Sequence, residues 1–152
     1  MRPEFQPTVG ARGYQHSNTN ILGSIPLLGT LELIDKAGFE NMCKKGEKLT
    51  GALDALLRAS PYYLASAPKD DKTVGFRILT PDAPWRGTQI SIFLHGKDGI
   101  MPRVFDRMVA KGLVGDERHP NVIRLAPVVL YNTFSEVGRA VEILNDAIAA
   151  EK

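Results

Sequence analysis

An arginine inside an apolar strand constrains this chain more than any other feature. Residues 116–136 run from a charged loop through Val122-Ile123-Arg124-Leu125 and Ala126-Pro127 to Leu130-Tyr131-Asn132. A helix start follows at Thr133-Phe134-Ser135-Glu136. A guanidinium cannot shed its charge, and leaving it buried without a partner is costly. Two readings of Arg124 stay open on spacing alone. Its stem can lie along apolar surface while its head reaches water at a strand edge, or its head can meet an anion.

The rest of the pattern alternates helix and strand signals. Ile21, Leu22, Ile25, Leu28, Leu31 and Ile34 recur mostly three or four apart, which predicts a helix ending at Gly38. Ser17, Asn18, Thr19 and Asn20 are each able to cap it, and Pro26 should kink it or mark its true start. Phe39, Met42, Leu49, Leu53, Leu56 and Leu57 predict a second helix over 39–59, packed antiparallel to the first. Cys43 on it reads as an unreactive helix residue. A surface loop covers the stretch from Ser66 to Lys72. The period then becomes two: Val74, Phe76 and Ile78 in one run, and Thr88, Ile90, Ile92 and Leu94 in the next. Trp85, between them, reads as an interface or loop-packing residue. Helix three is expected over 100–111, with Val104, Phe105, Met108 and Val109 inward, Asp98 as its cap and Gly112 as its stop. Leu113-Val114 should open a short strand, and Val122–Leu125 another. Thr133-x-x-Glu136 is a capping box before a last helix carrying Val137, Val141, Leu144 and Ile148.

The order helix, helix, strand, strand, helix, strand, helix implies an α+β fold: a small, mostly antiparallel sheet with helices packed on one face. Residues 1–16 read as an extended lead-in, suited to lie on another surface, and 17–152 as one domain. The start does not read as a signal peptide and no run approaches a membrane span. Nineteen basic against 17 acidic side chains leave a formal charge of +2, which makes no case for nucleic acid or a membrane surface as partner. One cysteine excludes an internal disulfide, so a reducing, cytoplasmic setting is expected. Three scattered histidines form no metal-ligand cluster.

The stretch 116–136 resembles the C-terminal signature of kynureninase, a pyridoxal-phosphate enzyme of the aspartate-aminotransferase fold. There a strand with Ile-Arg is followed by Ala-Pro, Leu-Tyr-Asn and a helix. The resemblance covers nearly the whole chain, but only about the last third of a full kynureninase. It implies the small C-terminal domain of a fold-type-I pyridoxal-phosphate enzyme. By matching position, Arg124 is the residue that binds the substrate's α-carboxylate. Ser17 and Asn18 match a Ser-Asn pair at the active site whose asparagine contacts the aryl ketone or ring substituent; Thr19 and Asn20 depart from the prolines common after it. Arg86 and Gln89 match an Arg-Gly-x-Gln before the second strand, where a loop-anchoring or interface role is the expectation for Arg86. His16 falls at a variable position.

The implied reaction is hydrolysis of L-kynurenine or 3-hydroxykynurenine to anthranilate or 3-hydroxyanthranilate and L-alanine, in tryptophan catabolism toward NAD biosynthesis. The Schiff-base lysine, the aspartate facing the pyridine nitrogen, the stacking aromatic and most phosphate ligands belong to the family's large domain and have no matching position here. Lys97, between glycines, substitutes for none of them. The chain is therefore expected to be inactive alone and not to hold pyridoxal phosphate stably. Its expected partners are a kynurenine-like small molecule and either a large-domain chain or a second copy. A non-catalytic binding module and a structural partner of a separately encoded cofactor-binding chain are the alternatives.

Overall fold

The computed structural model describes residues 4, 6–70 and 72–152; residues 1–3 and 5 of the expected lead-in and Asp71 of the expected surface loop lie outside them. The chain divides into two units, Met1–Phe39 and Glu40–Lys152.

In the first unit, a single 3-10 turn spans Ala11–Tyr14 and helix α1 spans Ile21–Ala37. Asn20 is the cap: its Oδ1 accepts from the Gly23 N–H at 3.3 Å. Pro26 therefore lies within the helix rather than at its start. Gly38 closes α1 with φ of 78°, a left-handed value, and its N–H returns to Ile34 and Asp35. None of the α1 side chains is buried.

The second unit is built around a four-stranded sheet. Helix α2 (Phe39–Arg58) leads to β1 (Gly75–Ile78) and β2 (Ile90–His95). Helix α3 (Ile100–Ala110) then precedes β3 (Asp116–Arg118), β4 (Val122–Leu125) and helix α4 (Phe134–Ala149). The strand order is β1-β2-β4-β3, with each neighbouring pair antiparallel. The fold is α+β with the helices packed on one face, as the pattern of apolar residues implies. Ile90, Ile92 and Leu94 on β2, and Ile123 and Leu125 on β4, point to that face. There they join Leu49, Leu53 and Leu57 of α2, Ile100, Met101, Val104 and Met108 of α3, and the buried stripe of α4. At the outer edge of β1, the Phe76 N–H and C=O bond to Tyr62 and Leu64. Gly75 is required there: a Cβ would come within 2.5 Å of the Tyr62 carbonyl oxygen.

Several expectations need correcting. Val109 is 44% exposed, and Ile100 and Met101 take the inward places instead. The α3 cap is Gly99, in the left-handed region, not Asp98. Leu113-Val114 opens no strand; β3 lies two residues later, in the wholly polar Asp116-Glu117-Arg118. That segment is ordered by pairing with β4 rather than by an apolar face. Trp85 is 82% exposed, which removes loop packing for it but not an interface role.

Two ends of the second unit are fixed by polar contacts. The capping box of α4 is complete: Thr133 Oγ1 accepts from the Glu136 N–H, and the Glu136 carboxylate accepts from the Thr133 N–H at 2.7 Å. Beyond α4, the nearly buried Glu151 carboxylate pairs with Arg103 at 2.7 Å and with Arg107, both from α3. The hydrogen bond from Arg103 holds the Glu151 pKa below the usual carboxylate range. Thr133→Ala should cost about 1 kcal/mol in urea denaturation, the usual loss for a cap. Because the folded-state pKa of Glu151 is depressed, its contribution is complete above the ordinary carboxylate range and is lost as pH falls through the folded value. Glu151→Gln should therefore flatten the acid limb of a urea-midpoint-versus-pH curve below about pH 5, by no more than about 1 kcal/mol given the exposed arginine partner.

Candidate functional site

The period of two that buries one face of the sheet turns another set of side chains away from the helices. On β2 these are Ser91, Phe93 and His95; on β4 they are Val122 and Arg124. Arg124 stands opposite Ser91 on one side and Asp116 on the other. Its Nη2 donates to Asp116 Oδ2, which also accepts from Arg118 Nη2 at 2.8 Å. The question left by the sequence is thus answered within the chain. The guanidinium, 31% exposed, meets the carboxylate of a neighbouring strand. Its Nε is buried and has no hydrogen-bond acceptor. An ion pair this exposed contributes at most about 1 kcal/mol, so the carboxylate that occupies Arg124 is exchangeable.

Toward β1, Arg77 Nε donates to His95 Nε2 at 2.8 Å, and the guanidinium lies 5.8 Å from the Phe93 ring centroid. Acceptance at Nε2 requires the neutral ring. Burial, and then the Arg77 charge, push the His95 pKa down. Sequence reasoning missed this cluster. The available signal was that Arg77, Phe93 and His95 fall at the outward positions of two alternating runs.

Arg86 anchors a loop. Its side chain is 8% exposed and pairs with Asp54 of α2 at 3.1 Å. Asp54 also holds Arg58 at 3.0 Å, and Arg58 reaches Asp82 at 2.5 Å. This chain of charges fastens the β1–β2 connection to α2. Beside it, a concavity is lined by Leu79, Thr80, Pro81, Gln89, Ser91 and Val122. Gln89 Nε2 donates to Ser91 Oγ at 3.5 Å.

Ser17 and Asn18 belong to the first unit, where they form an exposed bend before α1. Gln15 Nε2 donates to the Ser17 carbonyl at 2.8 Å, and neither residue caps the helix. Asn132 fixes the entry into α4: its Oδ1 accepts from the Val128 N–H at 2.8 Å.

The described residues do not assemble a cradle for pyridoxal phosphate. Lys45 is bonded to the Val129 carbonyl at 2.5 Å and Lys111 to Asp146 at 2.8 Å. Lys152 lies 4.7 Å from the Tyr62 ring centroid, and Lys97 sits in an exposed turn. Among the described residues no cluster of three or more His, Cys, Asp or Glu is placed to hold a metal ion. Among them, too, no helix is long and apolar enough to cross a membrane.

Comparison with known proteins places this geometry. The family model described as "Kynureninase C-terminal domain" matches residues 45–144. The chain is 60% identical to a kynureninase of Cryptococcus neoformans over its full length, and 43% and 41% identical to those of Yarrowia lipolytica and Saccharomyces cerevisiae over 97% of it. It spans about a third of the length of these relatives, 34% for Cryptococcus. Among solved structures, a phospholyase from Arthrobacter in complex with phosphoethanolamine shares the fold. Its TM-score is 0.52 at 15% identity, covering 81% of this chain and 27% of that one.

The ion pairs around Asp54 carry a prediction. Arg86→Ala leaves Asp54 with Arg58 as its remaining partner. It should cost about 1–3 kcal/mol in urea denaturation, below the usual loss for breaking a fully buried pair. Arg58→Ala, at a more exposed site, should cost less than about 1 kcal/mol.

Proposed function

This chain belongs to the kynureninase family, as its C-terminal domain, and on that premise we propose that it supplies the substrate-carboxylate side of a kynurenine-hydrolysing site completed by a further chain. The reaction adds water across the Cβ–Cγ bond of L-kynurenine or 3-hydroxykynurenine and releases anthranilate or 3-hydroxyanthranilate with L-alanine. Pyridoxal phosphate, held elsewhere in the complete enzyme, would supply the electron sink.

One observation carries the reading: Arg124 turns outward from the sheet with a buried Nε that no protein acceptor meets. A substrate α-carboxylate would replace Asp116 on this guanidinium. The exchange is inexpensive because Asp116 Oδ2 keeps its bond to Arg118 when Arg124 is released. A charged clamp of this kind fixes the substrate's orientation about Cα, so its loss should lower rate as well as affinity. Asn18, beside Ser17, would donate its side-chain amide to the aryl ketone.

Helix α1 supports the need for a further chain. Ile21, Leu22, Ile25, Leu27, Leu28, Leu31 and Leu33 are each at least 50% exposed. At 100° per residue they spread over about two-thirds of the circumference, Gly23, Pro26 and Ile34 lie in the remainder, and 19–31 contains no charged side chain. A helix apolar on every side belongs in an interior. The length of the relatives supports one cover: the upstream portion of a kynureninase, joined or separate. The same observation favours a scaffolding role for this chain over a free-standing binding module.

The test uses the purified chain with pyridoxal phosphate and L-kynurenine, reading anthranilate fluorescence and borohydride-trapped lysine by intact mass. The expected result is no product from the chain alone. Turnover should appear on adding the upstream two-thirds of the Cryptococcus neoformans kynureninase as a separate chain. In that complex Arg124→Ala should lower kcat/KM by at least about 30-fold, the scale for removing one partner of a charged contact. Sustained turnover by the chain alone, with one lysine trapped, would overturn the proposal.

A further inference from the structure

We infer that Ser91 is a second ligand for the carboxylate that Arg124 binds, so that the anion is held across two adjacent strands. The inference rests on the proposed role of Arg124. Ser91 and Arg124 are direct cross-strand partners, and the backbone of Ser91 shows which kind of pair they form. Its N–H donates to Thr80 Oγ1 at 2.8 Å, and its C=O accepts from the Leu79 N–H at 2.8 Å. Both groups thus point toward 79–80 and away from β4. The pair is therefore the non-hydrogen-bonded kind, with Cα atoms about 4.5 Å apart and side chains at their closest.

The chemistry of the row is complementary to one carboxylate. Asp116, Arg124 and Ser91 lie side by side on β3, β4 and β2. Asp116, the acceptor that the substrate carboxylate would replace, lies on the far side, and the two arginines around it leave a net charge of +1. Arg124 Nε has no acceptor. The Ser91 hydroxyl receives only the long 3.5 Å contact from Gln89, which leaves its proton for an acceptor. Ser91 also lines a concavity with Thr80, Pro81, Arg86, Gln89 and Val122. One carboxylate oxygen would take the guanidinium and the other the Ser91 O–H. A residue of no charge on the neighbouring strand thereby sets the tilt of the amino acid over the sheet.

The experiment titrates the ¹⁵N-labelled chain with L-alanine at constant ionic strength, reading the Arg124 Nε–H and the Ser91 amide, with L-alaninamide as the probe lacking the carboxylate. Both signals should move with one dissociation constant, and alaninamide should move neither. Ser91→Ala should weaken binding by about 3- to 10-fold, the scale of a partly exposed hydrogen bond to a charged group, and Ser91→Thr should restore it. A thermal melt of each variant separates loss of binding from loss of fold; the titration of the unaltered chain decides the case if Ser91→Ala melts early. An Arg124 shift with the Ser91 amide unmoved, or with affinity unchanged in Ser91→Ala, overturns the role of Ser91 and leaves that of Arg124. No shift at either overturns both.

Discussion

The dry face of β2 holds the second unit together. Ile90, Ile92 and Leu94 are fully buried and meet side chains from α2, α3 and α4. Each fully buried aliphatic side chain contributes about 1.5–3 kcal/mol of hydrophobic free energy. Because side chains alternate along a strand, this packing also fixes where Ser91, Phe93 and His95 must go. A slip of one residue would drive Ser91 and His95 into the core and expose three aliphatic residues, so the register is strongly determined. The position of Arg124 follows from it, since β4 is aligned on β2 with Ile92 facing Ile123.

The polar face is assembled from charges that are individually weak and mutually compensating. Asp116 is shared by Arg118 and Arg124, and Asp54 by Arg58 and Arg86. In each case one carboxylate serves two guanidinium groups, so releasing one arginine does not strand an anion. At Asp54 the arrangement is largely shielded and fastens a loop to a helix. At Asp116 it is open to water and leaves Arg124 able to change partners. Exposure, rather than residue type, separates the two arginines, Arg86 and Arg124.

How much was legible in the sequence follows the same division. The alternation at 88–94, the capping box at Thr133 and Glu136 and the inward residues of α4 were readable, because each rests on local spacing. Strand β3 was not: Asp116-Glu117-Arg118 has no apolar member, and its strand geometry comes from pairing with β4 across a turn. The Asp116 partner of Arg124 was hidden for the same reason. On α3, Val104, Phe105 and Met108 were placed correctly, but Val109 faces out and Ile100 and Met101, at the very start of the helix, were left out of the inward set. The Ser-Asn pair at 17–18 was legible only through family resemblance. Its local chemistry, a bend before a capped helix, is common to many chains.

The bare circumference of α1 has a thermodynamic consequence. A helix whose apolar side chains find no cover in their own unit takes part of its stability from whatever binds it, so that stability obeys mass action. A partner present at 100 times its dissociation constant adds about 2.7 kcal/mol, and dilution removes it. The order of the segment from Asn20 to Gly38 then becomes a function of concentration, with the bend at Ser17 and Asn18 directly before it. Ser17 and Asn18 would be firmly placed only where the helix behind them is covered.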